Sequence, residues 1–312
     1  MNIVSQASTD GDGRSRVSLG ELIGLRQRVT RAKPLAMVSR SARSGQQSSR
    51  LYGRGMDYAE SRVYQAGDDV RRLDWRLTAR SGKLHTKLFQ EDREGCLLIL
   101  FDTHASMQFG TRRRFKSVQA ARAAAFAAWY AARAGERVGI MAFGRAEQLL
   151  RPQAGTRGAL AICGALANWD ATSPSSQRVE PLGDAVTRAG RLLHGASRVL
   201  LVSDGFSCDA PARARLLGLT RHAALGVLVI ADVLERGTVR PGRYPVEHAG
   251  ERSEVLLESE RQRSEFQQAL GAGPARLSQM AGSLGLRCSE VDTAAEPFEQ
   301  VASLLGMPRP AR

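Results

Sequence analysis

The hydrophobic pattern of the chain changes character at Cys96. Beyond that point, continuous apolar runs of strand length alternate with stretches of helical spacing. "CLLILFD" and "RVLLVSDG" are two such runs, ending abruptly in Asp102 and Asp204, and "LGVLVIADV" is a third. After the first, "RRFKSVQAARAAAFAAWYAARAG" places Phe115, Val118, Arg122, Phe126 and Trp129 at helical spacing and stops at Gly135. "RVGIMAFG" and "EQLLRP" predict a strand pair turning around residues 144–146. Helices are predicted over 157–168, 182–194, "APARARLLGLTRHA", 265–284 and 297–305, with a short strand at "LRCSEV" and a polar linking stretch over 249–263. Alternating strands and helices of this kind predict an α/β fold, a doubly wound, mainly parallel sheet covered on both faces. Ligands of such sheets sit beyond the carboxyl ends of central strands, where Asp102 and Asp204 fall.

Before Cys96 the pattern is weaker. Residues 1–18 are rich in Ser, Gly and Asp and are expected to be disordered, "LGELIGLRQRVTRA" predicts a short amphipathic helix, and "SRSARSGQQSSRLYGRG" reads as a loop. "KLHTKLFQ" alternates as a strand does. The chain therefore divides into a tail with a short helix (1–38), a small N-terminal module (39–94), the sheet domain (95–248), and a C-terminal linker with helices and the last strand of the sheet (249–312).

Composition adds limits. Of 312 residues 43% are hydrophobic but only 5% aromatic, so Leu, Val, Ile and Ala must do most of the packing. The apolar run "AALGVLVIA" is about half of what a bilayer-spanning helix needs, and the first residues lack the apolar core of a signal peptide. A soluble, cytoplasmic protein without a membrane span is expected. Cys96, Cys163, Cys208 and Cys288 show no C-x-x-C pairing, so buried reduced thiols are expected in place of zinc or disulfides. Net charge is +14, and residues 1–95, with 18 Lys+Arg against 11 Asp+Glu, carry half of the excess. That field suits nucleic acid, acidic membranes or an acidic protein. No aromatic residues interleave the arginines as a base-stacking surface requires, which disfavours nucleic acid. Phosphate-loop, H-E-x-x-H and dinucleotide signatures are missing, "GRGMDY" lacking the third glycine of the last.

The segment "GRGMDYAESRVYQAGDDVRRLDWRLTARSGKLHTKLFQED" is dense in specific features: Gly53-Arg54-Gly55, Arg62-x-Tyr64, Gly67-Asp68-Asp69, Arg71, Asp74-Trp75 and Ala79-Arg80. It closely resembles the signature of the family known as domain of unknown function 58, and the α/β region that follows resembles a von Willebrand factor A domain. The resemblance covers residues 39–233. It implies a von Willebrand factor A-like (Rossmann-like) fold, a short soluble form of the family, and a partnership with a MoxR-type AAA+ ATPase acting on a client protein. Within the signature, Gly67-Asp68-Asp69 predicts a turn, and Arg71, Arg72, Arg76 and Arg80 can fork onto Asp68, Asp69 and Asp74. Trp75 is expected as a packing anchor. An ion-pair and packing lattice that also forms part of a docking face is favoured here over acid–base catalysis.

The same resemblance implies a metal-ion-dependent adhesion site, D-x-S-x-S with a threonine and an aspartate from later loops, holding Mg²⁺ by hard oxygen ligands. Asp102 matches the first aspartate, Ser106 the last serine and Asp204 the third-loop aspartate. His104 replaces the first serine. Glu180 falls near the threonine position, with Thr172, Ser173, Ser175 and Ser176 as alternatives. Three outcomes stay open: Mg²⁺ held through Asp102, Ser106, Asp204 and water; selection of Mn²⁺ or Zn²⁺ by the imidazole; or a protonated His104 standing in for the cation, its pKa raised by Asp102, Asp204 and Glu180. The third, a degenerate site, is favoured. A Ser106–His104–Asp nucleophile array is disfavoured because both residues share one tight loop. The reading is of a non-enzymatic interaction protein, with a metal-dependent hydrolase or nuclease, or nucleic-acid binding through the N-terminal part, as alternatives. His85, His194, His222 and His248 lack ligand spacing.

Overall fold

The structure, a computed structural model, describes residues 10–31, 56–91, 95–171, 179–193, 197–237, 239–248 and 251–306. The chain divides into two compact units, Met1–Ala36 with Gly95–Arg312, and Met37–Glu94. The larger begins with helix α1 (Leu19–Arg31).

In the smaller unit, β1 (Met56–Val63), helix α2 (Trp75–Ser81) and β2 (His85–Glu91) follow in order, and the two strands pair antiparallel with Val63 opposite His85. Side-chain caps fix the segment between the strands. Asp69 accepts from the Arg71 N–H at 3.0 Å, and Asp74 accepts from the Leu77 N–H at 3.0 Å as the N-cap of α2. The helix stops at Gly82, whose φ of 68° lies in the left-handed region. No predicted element corresponds to β1.

Returning to the larger unit, its first strand is β3 (Cys96–Asp102), and α3 (Lys116–Arg133), β4 (Arg137–Phe143), β5 (Leu149–Ala154) and α4 (Gly155–Ala171) follow. Next come α5 (Leu182–Gly190), β6 (Ser197–Ser203), α6 (Ala212–Leu219), β7 (Ala223–Ala231) and the short α7 (Val233–Arg236). A hairpin of β8 (Gly242–His248) and β9 (Glu251–Leu257), then α8 (Glu260–Ser283), β10 (Arg287–Asp292) and α9 (Phe298–Leu304), complete it. The six-stranded sheet has the order β10-β7-β6-β3-β4-β5, parallel except for the edge strand β5. The chain enters at the centre, builds outward through β4 and β5, then crosses back to β6. The reversal falls between β3 and β6, the switch point at which doubly wound sheets form their crevice. This is the von Willebrand factor A-like, Rossmann-like arrangement.

Each face of the sheet has its own core. One combines β3 residues Leu97, Ile99 and Phe101 with α1, α3, α4 and α9; the other combines Leu98 and Leu100 with α5, α6 and α8. Helix α3 is buried all round from Lys116 to Ala131, which explains its alanines: small side chains let neighbouring elements approach from every side. Outside it lies α1, where Leu22, Leu25 and Val29 are buried and each contributes roughly 1.5–3 kcal/mol. Trp129 Nε1 donates to the Leu22 carbonyl at 3.0 Å, and Arg122 pairs with Glu21 at 2.7 Å.

Four expectations need correction. Residues 10–18 are not a disordered tail: Asp12 accepts from three successive backbone N–H groups, Val17 is buried, and its N–H donates to Asp170 at 2.8 Å. Residues 1–9 lie outside the described residues, as does the loop over 32–55 with Gly53, Arg54 and Gly55. The boundary drawn at residue 248 falls inside the β8–β9 hairpin, so it separates paired strands. The polar stretch over 249–263 accordingly includes β9 and the start of α8, not a linker. Cys163 and Cys208 are buried thiols, their pKa pushed up to about 12 chiefly by burial, but Cys288 is exposed. Among the described residues, no helix is long and apolar enough to cross a membrane.

Candidate functional site

Three strands of the sheet end in an aspartate with no exposed surface: Asp102 closes β3, Asp204 follows β6 and Asp232 follows β7. Parallel neighbours β3, β6 and β7 bring these ends to one rim, so residues a hundred positions apart meet there. What each carboxylate touches decides what the rim can do.

Asp102 is fully engaged. Its Oδ1 accepts from the His104 N–H at 2.9 Å and from His104 Nδ1 at 2.6 Å; its Oδ2 accepts from Ser203 Oγ at 2.6 Å and Ser207 Oγ at 2.9 Å. Burial pushes the Asp102 pKa up, but the His104 hydrogen bond and charge and the Ser203 hydroxyl outweigh it, leaving the value lowered. The carboxylate is therefore ionised and Nδ1 is the donor. For His104 burial opposes protonation, yet the bond to Asp102 and the charges of Asp102, Asp204 and Glu180 raise its pKa above the ordinary 6.5. Backbone geometry makes room for the ring. Gly144, at φ 101°, passes so close that a Cβ there would lie 2.5 Å from His104 Nδ1.

Asp204 faces a partner that the apolar pattern concealed. Lys116, at the start of α3, is only 1% exposed, and its Nζ donates to Asp204 Oδ2 at 2.8 Å and to Glu235 Oε1 at 2.6 Å. Asp204 Oδ1 accepts from the Phe206 N–H at 3.1 Å. Burial, followed by the charge of Asp102, raises the Asp204 pKa against the opposing pull of Lys116. Burial likewise raises that of Glu235. Gly205, at φ 83°, lets the loop pass under α8, where a Cβ would meet the Gly273 carbonyl oxygen at 2.2 Å. Asp232 is occupied as well: it caps α7 in a reciprocal box with Glu235 and accepts from Thr111 and Thr293 hydroxyls.

Glu180 is held by Arg188 through two bonds, Nε to Oε1 at 3.0 Å and Nη2 to Oε2 at 2.5 Å. Ser106 Oγ is buried without a hydrogen-bond partner. No hydrogen bond joins it to His104 among the described residues, so the Ser–His–Asp array is not assembled. Thr172, Ser173, Ser175, Ser176 and His194 lie outside the described residues.

The residues present do not fit a divalent ion. Mg²⁺ requires near-octahedral oxygen ligands at about 2.0–2.1 Å. Here all acceptor directions of Asp102 are taken, Asp204 is paired with an ammonium, and among the described residues of the rim Ser106 alone offers a free hydroxyl. Among the described residues no three His, Cys, Asp or Glu side chains form a metal-binding group.

Beside this rim, toward β4 and α4, lies a cleft of about 920 Å³. Phe101, Leu166 and Trp169 supply apolar wall, and Arg145, Glu147, Asp170 and Asp184 supply charge, with Asp102 and Glu180 also in its lining. Asp102, Asp204 and Glu180 are themselves buried, whereas Phe206, on the loop after β6, is exposed at the rim.

In the smaller unit the signature residues follow another plan. Arg62 pairs with Asp68 at 2.7 Å, which also accepts from the Gln65 N–H, and Gly67 turns the chain at φ 106°. The Tyr64 N–H donates to the Leu84 carbonyl at 2.9 Å. Of the expected fork of Arg71, Arg72, Arg76 and Arg80 onto the aspartates, the pair of Arg72 with Asp69 at 3.9 Å is present; Arg71, Arg76 and Arg80 make no ion pair with another described residue, and Asp69 and Asp74 serve as caps. Trp75, expected as a buried anchor, is 67% exposed.

Lys116, Glu235 and Asp232 stand at the rim without having been among the expected site residues. Asp232 carried the same signal as its two neighbours, an aspartate after an apolar strand. Lys116 carried a compositional one, being one of only four lysines among 45 basic residues.

The family model described as "Protein of unknown function DUF58" matches residues 60–274. Over 89 residues, 28% of this chain, the sequence is 40% identical to the uncharacterized protein Rv1480 of Mycobacterium tuberculosis (strain H37Rv) and to Mb1516 of Mycobacterium bovis. The matched stretch spans 28% of each of those proteins. Among solved structures, a conserved hypothetical protein BatB from Bacteroides thetaiotaomicron is 15% identical with a TM-score of 0.43, covering 67% of this chain and 96% of that one. A von Willebrand factor type A protein from Catenulispora acidiphila is 12% identical with a TM-score of 0.36, covering 71% and 43%.

Proposed function

The chain belongs to the DUF58 family of proteins of unknown function, and from that membership and the state of its rim we propose that it is a non-enzymatic interaction protein. Its partner in this reading is a cytoplasmic MoxR-type AAA+ ATPase, as the signature's resemblance implies. The ATPase supplies the energy, and this chain tethers or selects the client protein whose assembly or maturation the pair promotes.

The observation that supports the reading is how the rim carboxylates are spent. A general base or nucleophile needs a free lone pair at a reachable surface. Asp102 and Asp204 have no exposed surface and are bonded to His104, Ser203, Ser207 and Lys116. Beside them lies the accessible cleft, whose wall of Phe101, Leu166 and Trp169 could receive an apolar side chain of a partner. In the smaller unit, exposed Val63, Val70, Trp75 and Leu84 add apolar contact area of the kind interfaces use.

Co-purification with the cognate ATPase tests the proposal. Association that depends on the bound nucleotide is expected. A purified pair that fails to associate with ATP, with ADP and without nucleotide defeats it. Turnover in phosphodiesterase or esterase assays with Mg²⁺ or Mn²⁺, lost in Asp102→Ala, would install the hydrolase reading instead.

A further inference from the structure

We propose that Lys116 is the resident cation of this rim, permanently matching, through a side chain, the charge of Asp204, the aspartate that would otherwise help to hold a divalent ion in a metal-dependent adhesion site. This cation is a property of the rim itself, whichever partner docks.

Four observations converge on the ammonium. It is bonded to carboxylates from two different loops, Asp204 at 2.8 Å and Glu235 at 2.6 Å, and so ties the end of β6 to the end of β7 as a bridging ion would. The three side chains are 1%, 0% and 2% exposed, so water does not screen the attraction. The rings of Phe109 and Phe206 stand on its remaining sides, each centroid 5.4 Å from Nζ, a further stabilisation of cationic charge. Finally, the Lys116 N–H donates to the Phe109 carbonyl at 2.7 Å, which fixes the start of α3 and the root of the side chain.

The choice of residue follows from the task. A chain that uses arginine for 41 of its 45 basic positions has a lysine here. A planar guanidinium distributes its charge over a fork, whereas an ammonium is a compact point charge on a flexible stem and comes closer to a bare ion. Asp102 is served separately by His104, so both aspartates at the switch point have a protein cation of their own.

The consequence is a sealed centre. A bound metal ion leaves a coordination position through which a partner's carboxylate can attach. An ammonium that is 1% exposed and spent on two internal carboxylates leaves none. The rim is therefore metal-independent, and a partner meets the cleft wall and not a bridging ion.

Melting of the full chain with EDTA and with millimolar Mg²⁺ or Mn²⁺ tests this first. The expected result is one Tm in all conditions, with the electron paramagnetic resonance signal of free Mn²⁺ undiminished by the protein. A Tm that climbs with either ion, as binding to the folded state requires, overturns the proposal. A second arm tests the charge. Lys116→Met should lower Tm by about 10 °C, because it strands two buried carboxylates. Adding Asp204→Asn and Glu235→Gln to that variant should restore most of the loss. A triple variant melting no higher than Lys116→Met would mean that the lysine acts by bulk and not by charge, and would equally overturn it. Should Lys116→Met fail to fold, recovery of a folded triple variant counts in favour, and failure of the triple variant to fold counts against.

Discussion

Around the carboxyl ends of β3, β6 and β7, the charged groups Asp102, Lys116, Asp204, Asp232 and Glu235 are all buried and all bonded to one another or to neighbouring hydroxyls. In the Met37–Glu94 unit, charge is just as dense along the sequence, but Arg72 and Asp69 keep 39% and 42% of their side-chain surface and stand 3.9 Å apart. The residue types are the same and the physics differs. A buried charge must be matched atom by atom, because losing its partner leaves it without water or a counter-charge. An exposed one is screened and contributes little to folding. If the smaller unit docks a partner, the two regions divide the work, one holding the rim together and the other displaying a surface.

The sharpest way to break that contrast is at Asp102. Asp102→Ala orphans four donors, the His104 N–H and ring, Ser203 and Ser207, at a site with no exposure. A loss of about 3–5 kcal/mol in urea unfolding is expected. A loss below about 1 kcal/mol would place this aspartate with the surface charges.

Next in size is His104→Gln, which removes the ring charge and keeps a polar side chain. Because the folded pKa of His104 is raised, its contribution is complete below the unfolded value of about 6.5 and fades as pH rises through the folded one. The lowered pKa of Asp102 sets the acid limit, below which the pair is lost as the carboxylate protonates. The stability gap between wild type and variant should therefore be widest in mildly acidic solution, about 1.5–3 kcal/mol, and narrow in alkali. A gap that does not change with pH would show that the ring acts only as a neutral hydrogen-bond donor.

The difference between the regions also explains what could be read beforehand. Buried strands declare themselves as apolar runs, so β3, β6 and β7 and the convergence of Asp102 with Asp204 were legible in the sequence. A cation buried at a helix start is not: Lys116 follows Arg112, Arg113 and Arg114 and looks like one more surface charge until its helix proves buried all round. Caps were equally hidden. Asp69 and Asp74 look like acid partners for the arginines around them, and only backbone geometry reveals that their oxygens face N–H groups. β9 and the first turn of α8 lack apolar periodicity of their own, which is why 249–263 reads as a linking stretch.

On the exposed side the effects shrink. Arg62→Ala removes the 2.7 Å pair with Asp68, whose side chains are 37% and 18% exposed. A cost of roughly 0.2–1 kcal/mol, falling further as salt is added, is expected from urea curves at two ionic strengths. A larger, salt-insensitive loss would make this pair a member of the buried class.

Trp75 gives the smallest expected stability change and the most informative one. A tryptophan left 67% exposed at the first position of α2 has little packing to lose, so Trp75→Ala should shift unfolding by no more than about 0.5 kcal/mol. Yet large aromatic side chains dominate the binding energy of protein interfaces, and this one stands in a unit that also exposes Val63, Val70 and Leu84. If the family-signature unit is a docking surface, the same substitution should sharply reduce retention on the immobilised ATPase while the melting curve stays in place. Loss of stability with retention unchanged would return Trp75 to the role of packing anchor, and the division of labour between buried and displayed charge would lose its functional half.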